Sequence, residues 1–461
     1  MADLSKWAGV ILAAGKGVRM HSKMPKALHA VCGAPLLKHV ADAMRGAGLE
    51  RIVAVASPEL KDDPRFVEAA GPGAAISVQR EQLGTGNALL AASRACGDAA
   101  FVVAGAGDMP LVRPETIARM VATHSRRRAR LTVLIFGQSP AEGMGRVRLS
   151  LAGDPVAIIE EKEASAADRA IPWSNTSWYC FDAAWLWATL PSIKRRGARE
   201  AYLTDLVEMA AAGGGTTAAV EVAEPAEALG VNNRAQLARA EAAMRDRVRS
   251  RWMAEGVTLA DPAATYIDTD VEIGPDTMVL PGVHLRGRTL VGAECQIGPN
   301  TVLTDCVVGD RSRIVASFGD GAHIGADVSV GPFSRLRPGT VIGARTRVGS
   351  FAEVKNSEVA ADVRISHFCY IGDTTLGRGV NIGAGTVTCN YDGARHHKTH
   401  IGAGAFIGSG TMLVAPRKVG KDAVTGAGAV VTYDVPAGET WVGNPARPLA
   451  RRRPRRSKAK P

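Results

Sequence analysis

The sequence predicts an α/β protein in three parts. An N-terminal domain over residues 1–233 carries a Rossmann-like, mostly parallel sheet; a long connecting helix covers 234–254; a parallel β-helix of hexapeptide repeats fills 255–450, ahead of a basic tail at 451–461. Three observations carry this. Short apolar runs alternate with helix-like stretches in the first half, and strands alternating with helices build a mostly parallel sheet covered on both faces. One polar stretch then shows an apolar residue every three or four positions, the period of a helix face. From about residue 267 an aliphatic residue followed by glycine returns every six positions over many units, the mark of a hexapeptide β-helix.

In chain order, residues 8–14, Arg51–Ala56, 99–104 and Leu131–Phe136 read as buried strands, and 36–47 and 86–95 as helices. Sheets of this kind bind ligands at the carboxyl ends of their strands. In the connecting helix, Leu237, Ala240, Met244, Val248 and Trp252 form one apolar stripe. At 1.5 Å per residue that helix spans roughly 30 Å. The repeat is set by Val291-Gly292, Ile297-Gly298, Ile324-Gly325, Val330-Gly331, Ile342-Gly343 and Val348-Gly349, and resumes in Ile371-Gly372, Ile382-Gly383, Ile407-Gly408 and Val419-Gly420. Each aliphatic residue points into a triangular prism, three hexads make a coil, and glycine stands where a side chain would clash. Within 365–393 the phase breaks. The break places His367, Tyr370, Asn381, Asn390 and Tyr391, followed by Asp392, His396, His397 and Lys398. A repeat that only stacks has no reason to interrupt itself for polar and titratable groups, so the interruption marks chemistry.

Charge and composition exclude other classes. Of the net charge of +11, seven charges lie in the tail 451–461, which leaves +4 for the rest. A short basic tail broken by proline reads as a disordered, solubilising end, so no nucleic-acid partner is expected. The chain has no run of 18 apolar residues, hence no membrane insertion, and no secretion signal, so a cytoplasmic location is expected. Its seven cysteines (32, 96, 180, 295, 306, 369 and 389) include no C-x-x-C and read as reduced thiols.

The first strand runs into L-A-A-G-K-G-V-R-M, residues 12–20, followed by Pro25-Lys26. Gly15 and Gly17 have no third glycine for a dinucleotide fingerprint, and no Gly-Lys-Ser/Thr follows for a P-loop. Small residues after a strand nevertheless let a ligand approach the backbone, and Lys16, Arg19 and Lys26 bring positive charge, as a nucleoside triphosphate requires. The second piece is Q-R-E-Q-L-G-T-G-N-A, residues 79–88. In the third, A-G-D-M-P-L at 106–111 with Gly105 ahead of it, Asp108 ends a strand, where a carboxylate can hold Mg²⁺ against phosphates. Each piece alone is more often a structural turn or cap; the three in this order are not.

L-A-A-G-x-G-x-R-M-x-x-x-x-P-K, with E-Q-x-G-T-x-x-A and G-D-x-P, resembles sugar-1-phosphate nucleotidylyltransferases. With the β-helix attached, residues 7–445 resemble the bacterial bifunctional N-acetylglucosamine-1-phosphate uridylyltransferase / glucosamine-1-phosphate N-acetyltransferase family, whose β-helix is left-handed and trimeric. The resemblance implies an enzyme that acetylates glucosamine-1-phosphate with acetyl-CoA. It then joins N-acetylglucosamine-1-phosphate to UMP from UTP, releasing pyrophosphate. It implies that Leu12, Ala13, Ala14, Gly15, Gln79, Gly84 and Thr85 hold the uridine nucleotide. Arg19 and Lys26 serve the phosphates catalytically, and Asp108 with Asn232 ligate Mg²⁺. Gly145, Glu160 and Asn175 contact the sugar. In the second half it implies His367 of H-x-x-Y as the base, Arg337 and Lys355 on the phosphate of glucosamine-1-phosphate, Tyr370 and Asn381 on its sugar, and Glu353 near the amine. Ala384, Asn390, Tyr391, Ser409 and Ala427 line the acetyl-CoA site.

Four departures from the family pattern stand out. Ala106 takes the place of a common tyrosine, Val18 of a threonine and Ser177 of a glycine. Asn444 stands where relatives carry a coenzyme-contacting arginine, and Arg447, three residues on, is the candidate substitute. Two other readings stay open from sequence. In one, the β-helix is only a trimerising scaffold on a nucleotidylyltransferase. In the other, the chain is a non-enzymatic exchange-factor subunit, which Arg19, Lys26 and Asp108 argue against.

Overall fold

The structure is a computed structural model, which describes residues 3–137, 143–193 and 201–449. The basic tail and residue 450 lie outside these. The chain divides into two units, Met1–Met244 and Arg245–Pro461.

The first unit is built on a nine-stranded sheet. Its strands are β1 (Trp7–Leu12), β2 (Arg51–Ala56), β3 (Ala75–Val78), β4 (Phe101–Ala106), β5 (Leu131–Phe136), β6 (Arg146–Leu149), β7 (Pro155–Ile159), β8 (Ser174–Asp182) and β9 (Thr217–Glu221). The order is β9-β5-β8-β4-β1-β2-β3, with β6 and β7 as a hairpin attached to β8. All strands of this path are mutually parallel except β8, which runs antiparallel to both β4 and β5. The expected strand at 8–14 ends at Leu12, because Ala13 already turns its amide to Val55 and starts the site loop. The helix expected over 86–95 is two pieces, Thr85–Ala91 and Ser93–Cys96. Both faces of the sheet are buried. Ile11, Ile52 and Leu134 pack under Leu37, Met44 and Met120 on one side. Val10, Val53 and Val133 pack against Leu89, Leu186 and Leu206 on the other.

Arg234–Ala254 is one helix of 21 residues. Ala240, Met244, Val248 and Trp252 of its stripe are buried, while Leu237 is partly covered.

The second unit is three sheets of 12, 10 and 9 short strands, parallel throughout except for Arg447–Pro448, which closes the largest sheet antiparallel to Thr440–Val442. Each strand pairs with the equivalent strand of the next coil, so one inward position per face forms a ladder. On the largest sheet this ladder is Val279, Ile297, Ile314, Val330, Val348, Ile365, Ile382 and Ile407, all buried. A buried aliphatic side chain is worth about 1.5–3 kcal/mol, so the ladders dominate the stability of the prism. Glycine follows five of these eight residues, and Ile342 on the 9-stranded sheet, for a steric reason: a Cβ on Gly343 would lie 2.5 Å from the backbone of Ala360 in the next coil. From Ile365 to Ile382 a coil takes 17 residues and from Ile407 to Thr425 it takes 18, but from Ile382 to Ile407 it takes 25. The surplus is an excursion at 390–398, tied across by a bridge between Tyr391 and His396.

Candidate active sites

A cavity of about 760 Å³ opens at the carboxyl ends of β1 and β4. Fourteen first-unit residues singled out from the sequence line it: Leu12, Ala13, Ala14, Gly15, Arg19, Lys26, Gln79, Gly84, Thr85, Asp108, Gly145, Glu160, Asn175 and Asn232; Lys16 is not on its wall. Parallel pairing of β1 with β4 sets the loop after Leu12 beside the loop after Ala106, and Gly107 donates to the Leu12 carbonyl at 2.9 Å. Asp108 is placed by this turn. Its carbonyl accepts from Val231 at 2.9 Å, which brings the neighbouring Asn232 alongside.

Lys26 Nζ ion-pairs with Asp108 Oδ2 and donates to Asn232 Oδ1 at 3.3 Å, while Arg19 Nη2 donates to the same Asn232 oxygen at 2.9 Å. Two cations against one carboxylate leave this corner electropositive. Gln79 donates to the Gly84 carbonyl at 3.0 Å, and Gln82 donates to the Ala14 carbonyl at 2.7 Å. Gly84 has φ +99°, and a Cβ there would meet the Ala201 carbonyl at 2.5 Å. Asn175 and Tyr179 share a hydrogen bond at 2.8 Å, and Thr204 donates to Glu160 at 2.7 Å. Of the departures, Ala106 and Ser177 line the cavity and Val18 is exposed. Ser177 sits at φ +61° in the bulge of β8, a left-handed conformation that favours glycine.

Sequence reading missed Gln82, Tyr202, Thr204, Gln236 and Arg239 on the cavity wall. Gln236 carried a signal: it lies three residues after Asn233, and Asn-x-x-Gln at a helix start is a capping pattern. Asn233 Oδ1 indeed accepts from the Gln236 amide at 2.8 Å, and Gln236 Oε1 accepts from the Asn232 amide at 2.7 Å.

The second constellation lies on the β-helix. Pairing of the Arg335, Glu353 and Tyr370 strands aligns those residues on one outward column. Arg337 and Lys355 are neighbours on the adjoining column, since Arg337 donates its amide to Val354. Arg337 Nη1 reaches Glu353 Oε1 at 2.9 Å. His367 is exposed at the corner between the 12- and 10-stranded sheets, its ring over Gly349, where a Cβ would come within 3.3 Å of Nδ1. The corners above it stack coil on coil. Gly385 donates to the His367 carbonyl, Gly410 to the Ala384 carbonyl and Gly428 to the Ser409 carbonyl, at 2.7–2.9 Å. His367, Ala384, Ser409 and Ala427 therefore form one column. In the opposite direction the same corner holds Phe333, Phe351 and Phe368, whose rings stack at 5.2 and 5.1 Å. Asn381 projects from the neighbouring sheet beside Arg364.

Some residues are not directed outward with this column. The Asn390 side chain is buried and donates to Asp373 at 2.5 Å, whereas Tyr391 is exposed and donates to the Gly393 carbonyl. Arg447 lies over the Tyr433 ring at 4.9 Å, and Asn444 is exposed near it in sequence.

Residues 9–257 match the MobA-like NTP transferase domain family, and residues 270–305 and 321–356 match bacterial transferase hexapeptide repeats. The chain is 41% identical over 452 residues to the bifunctional protein GlmU of Desulfitobacterium hafniense strain DCB-2, covering 95% of this chain and 99% of that protein. It is 42% identical over 429 residues to the GlmU of Carboxydothermus hydrogenoformans, covering 93% and 95%. It is 41% identical over 468 residues to that of Mycolicibacterium gilvum, covering 98% and 93%. The chain belongs to the GlmU family. It is a bifunctional transferase, with a uridylyltransferase half and an acetyltransferase half. The scaffold and exchange-factor readings fall with this.

Proposed function

We propose that the two constellations divide the two steps of UDP-N-acetylglucosamine synthesis as follows. At the first, Arg19 and Lys26 neutralise the triphosphate of UTP and hold it in line with the phosphate of N-acetylglucosamine-1-phosphate. A sugar-phosphate oxygen attacks the α-phosphorus, the bond to the bridging oxygen breaks, and pyrophosphate leaves. Positioning and charge neutralisation carry the rate.

Asp108 and Asn232 suit Mg²⁺. Their oxygens converge on one point, since both accept from the single Lys26 ammonium. One carboxylate with substrate phosphates is the donor set this ion takes, and among the described residues no cluster of three His, Cys, Asp or Glu offers a softer cage. Bound there, the ion would neutralise developing phosphate charge. Lys26 would then shift from Asp108 towards the phosphates.

At the second site His367 takes the proton of the glucosamine-1-phosphate ammonium, with Arg337 and Lys355 on the phosphate. The amine attacks the thioester carbonyl of acetyl-CoA and the carbon–sulfur bond breaks; of the two protons the nitrogen sheds, one passes by way of the imidazole to the thiolate and the other goes to solvent. The observation that carries this reading is the column of His367 with Ala384, Ser409 and Ala427. Glycine at each following corner clears an edge along which an extended pantetheine can lie with its acetyl end at the imidazole. Release of free thiol from acetyl-CoA tests it. Thiol should appear only with glucosamine-1-phosphate and be lost in His367→Ala; thiol release equal to wild type in that variant would remove His367 from the mechanism.

A homotrimer follows from the same edge. Phe333, Phe351 and Phe368 are 60, 52 and 66% exposed and contiguous, which is unusual unless a partner covers them. Light scattering that returned a monomer would refute it. The absence of a disulfide among the seven cysteines, all of them described residues, supports a cytoplasmic location. Among the described residues no helix is long and apolar enough to cross a membrane.

A further inference from the structure

We propose that Asp373 is a positioning residue of the acetyl-transfer site, latching both ends of the 390–398 excursion to the wall of the prism. It rests on the acetyl-transfer reading of this site. Asp373 is 8% exposed and has φ +50°. Such a position needs a specific reason, because a buried carboxylate is costly unless hydrogen-bonded on both oxygens. Here both are engaged. Oδ1 accepts from Asn356 Nδ2, one coil below, at 2.5 Å, and Oδ2 accepts from Asn390 Nδ2, where the excursion leaves the coil, at 2.5 Å. His396 Nδ1 lies 3.3 Å from Oδ2, near the excursion's other end. The backbone completes the latch: Asp373 donates to the Lys355 carbonyl at 3.0 Å, and Thr399, where the coil resumes, donates to the Asp373 carbonyl at 3.1 Å.

The latch sits among site residues. A Cβ on Gly372 would fall 2.6 Å from Asn390 Nδ2 and 2.7 Å from the Tyr370 hydroxyl, so these two groups share the space that the glycine leaves. Burial disfavours the Asp373 charge, but hydrogen bonds from Asn356 and Asn390, with Lys355 and His396 nearby, hold its pKa below the ordinary carboxylate value. It stays ionised at neutral pH and accepts from both amides. The excursion carries Tyr391 and Lys398, and in the proposed reading Asn390 and Tyr391 contact acetyl-CoA. Its first residue, Asn390, is tied by its side chain to the prism through this carboxylate, and its other side-chain neighbour, His396, belongs to the excursion itself.

The test is Asp373→Asn, which keeps shape and tolerates positive φ. A carboxamide has one acceptor oxygen and an NH₂, so one of the two facing amides meets a donor. The KM for acetyl-CoA should rise about tenfold or more, against less than a twofold change in the KM for glucosamine-1-phosphate and in uridylyl transfer. The double variant Asp373→Asn with Asn356→Asp should return the KM to within about threefold of wild type, because the carboxamide at position 373 then donates to the carboxylate at position 356 and accepts from Asn390. An unchanged KM in the single variant overturns the proposal. So does a parallel loss of both substrates with a lowered Tm, or a double variant no better than the single. Wild-type enzyme that releases no thiol would instead sink the acetyl-transfer reading itself, before any variant is compared.

Discussion

Lys26 donates to Asp108 and Asn232 from one nitrogen, so its removal takes away a cation that no neighbour can replace except Arg19, which is already committed to Asn232. Preorganised charge of this kind is worth about 10²–10³ in rate. Lys26→Met should lower kcat/KM for uridylyl transfer by that order and leave acetyl transfer unchanged, read in parallel assays on one preparation. Outside both sites, a buried histidine makes stability depend on pH. His124 is fully buried between Trp7 and Phe101, with Nδ1 against Thr132 Oγ1 at 3.0 Å and Nε2 without a partner. Burial pushes its pKa down to about 4. The folded protein thus refuses a proton that the unfolded chain, titrating near 6.5, accepts, so stability is lost as pH falls from about 6.5 towards 4, by on the order of 3 kcal/mol. Urea midpoints of wild type should fall between pH 7 and pH 5, and His124→Gln should flatten that fall. An equal slope in both would exclude His124 as the cause.

The coil is the element whose rules decide what the sequence showed. The aliphatic–glycine hexad was legible because it follows from backbone contact between successive coils, as at Gly343. The strands at the two nucleotide loops were legible because they are continuous apolar runs. Pro155–Ile159 and the antiparallel β8 carry only four-residue apolar runs, Val156-Ala157-Ile158-Ile159 and Trp178-Tyr179-Cys180-Phe181, and appear as strands only once the sheet is assembled. The fourteen first-unit candidates that line the cavity were readable because they fall in or beside short motifs at fixed spacing. Asp373 was not, because its partners are brought to it by the stacking of coils, and the capping pattern at Gln236 marks a helix start without telling that its side chain reaches the cavity wall. Gly372 shows the same: in sequence it is one more hexad glycine, but in space it makes room for Asn390 and Tyr370. Gly372→Ala should abolish sugar-dependent thiol release while the far-UV spectrum and uridylyl transfer persist. Retained release would mean that those two side chains can separate without cost.

Across the whole molecule, in the proposed reading, the two chemistries fall in separate units, uridylyl transfer in the cavity of the first and acetyl transfer along the column of corners of the second. Nothing in the proposed acetyl transfer needs a metal: the base, the phosphate cations and the coenzyme edge are side chains and backbone of the β-helix. In the proposed uridylyl transfer an ion beside Asp108 and Asn232 would offset triphosphate charge, held by one carboxylate and its substrate rather than by a closed cage. Such a site gives up its ion readily. Excess EDTA should therefore stop pyrophosphate release from UTP and leave thiol release from acetyl-CoA within about twofold of its value, with added Mg²⁺ restoring the former. Asp108→Asn should reproduce the first effect without chelator, and His367→Ala should give the reverse pattern. If EDTA stopped both activities, a shared dependence would join the two units, and the assignment of each step to one constellation of residues would have to be abandoned.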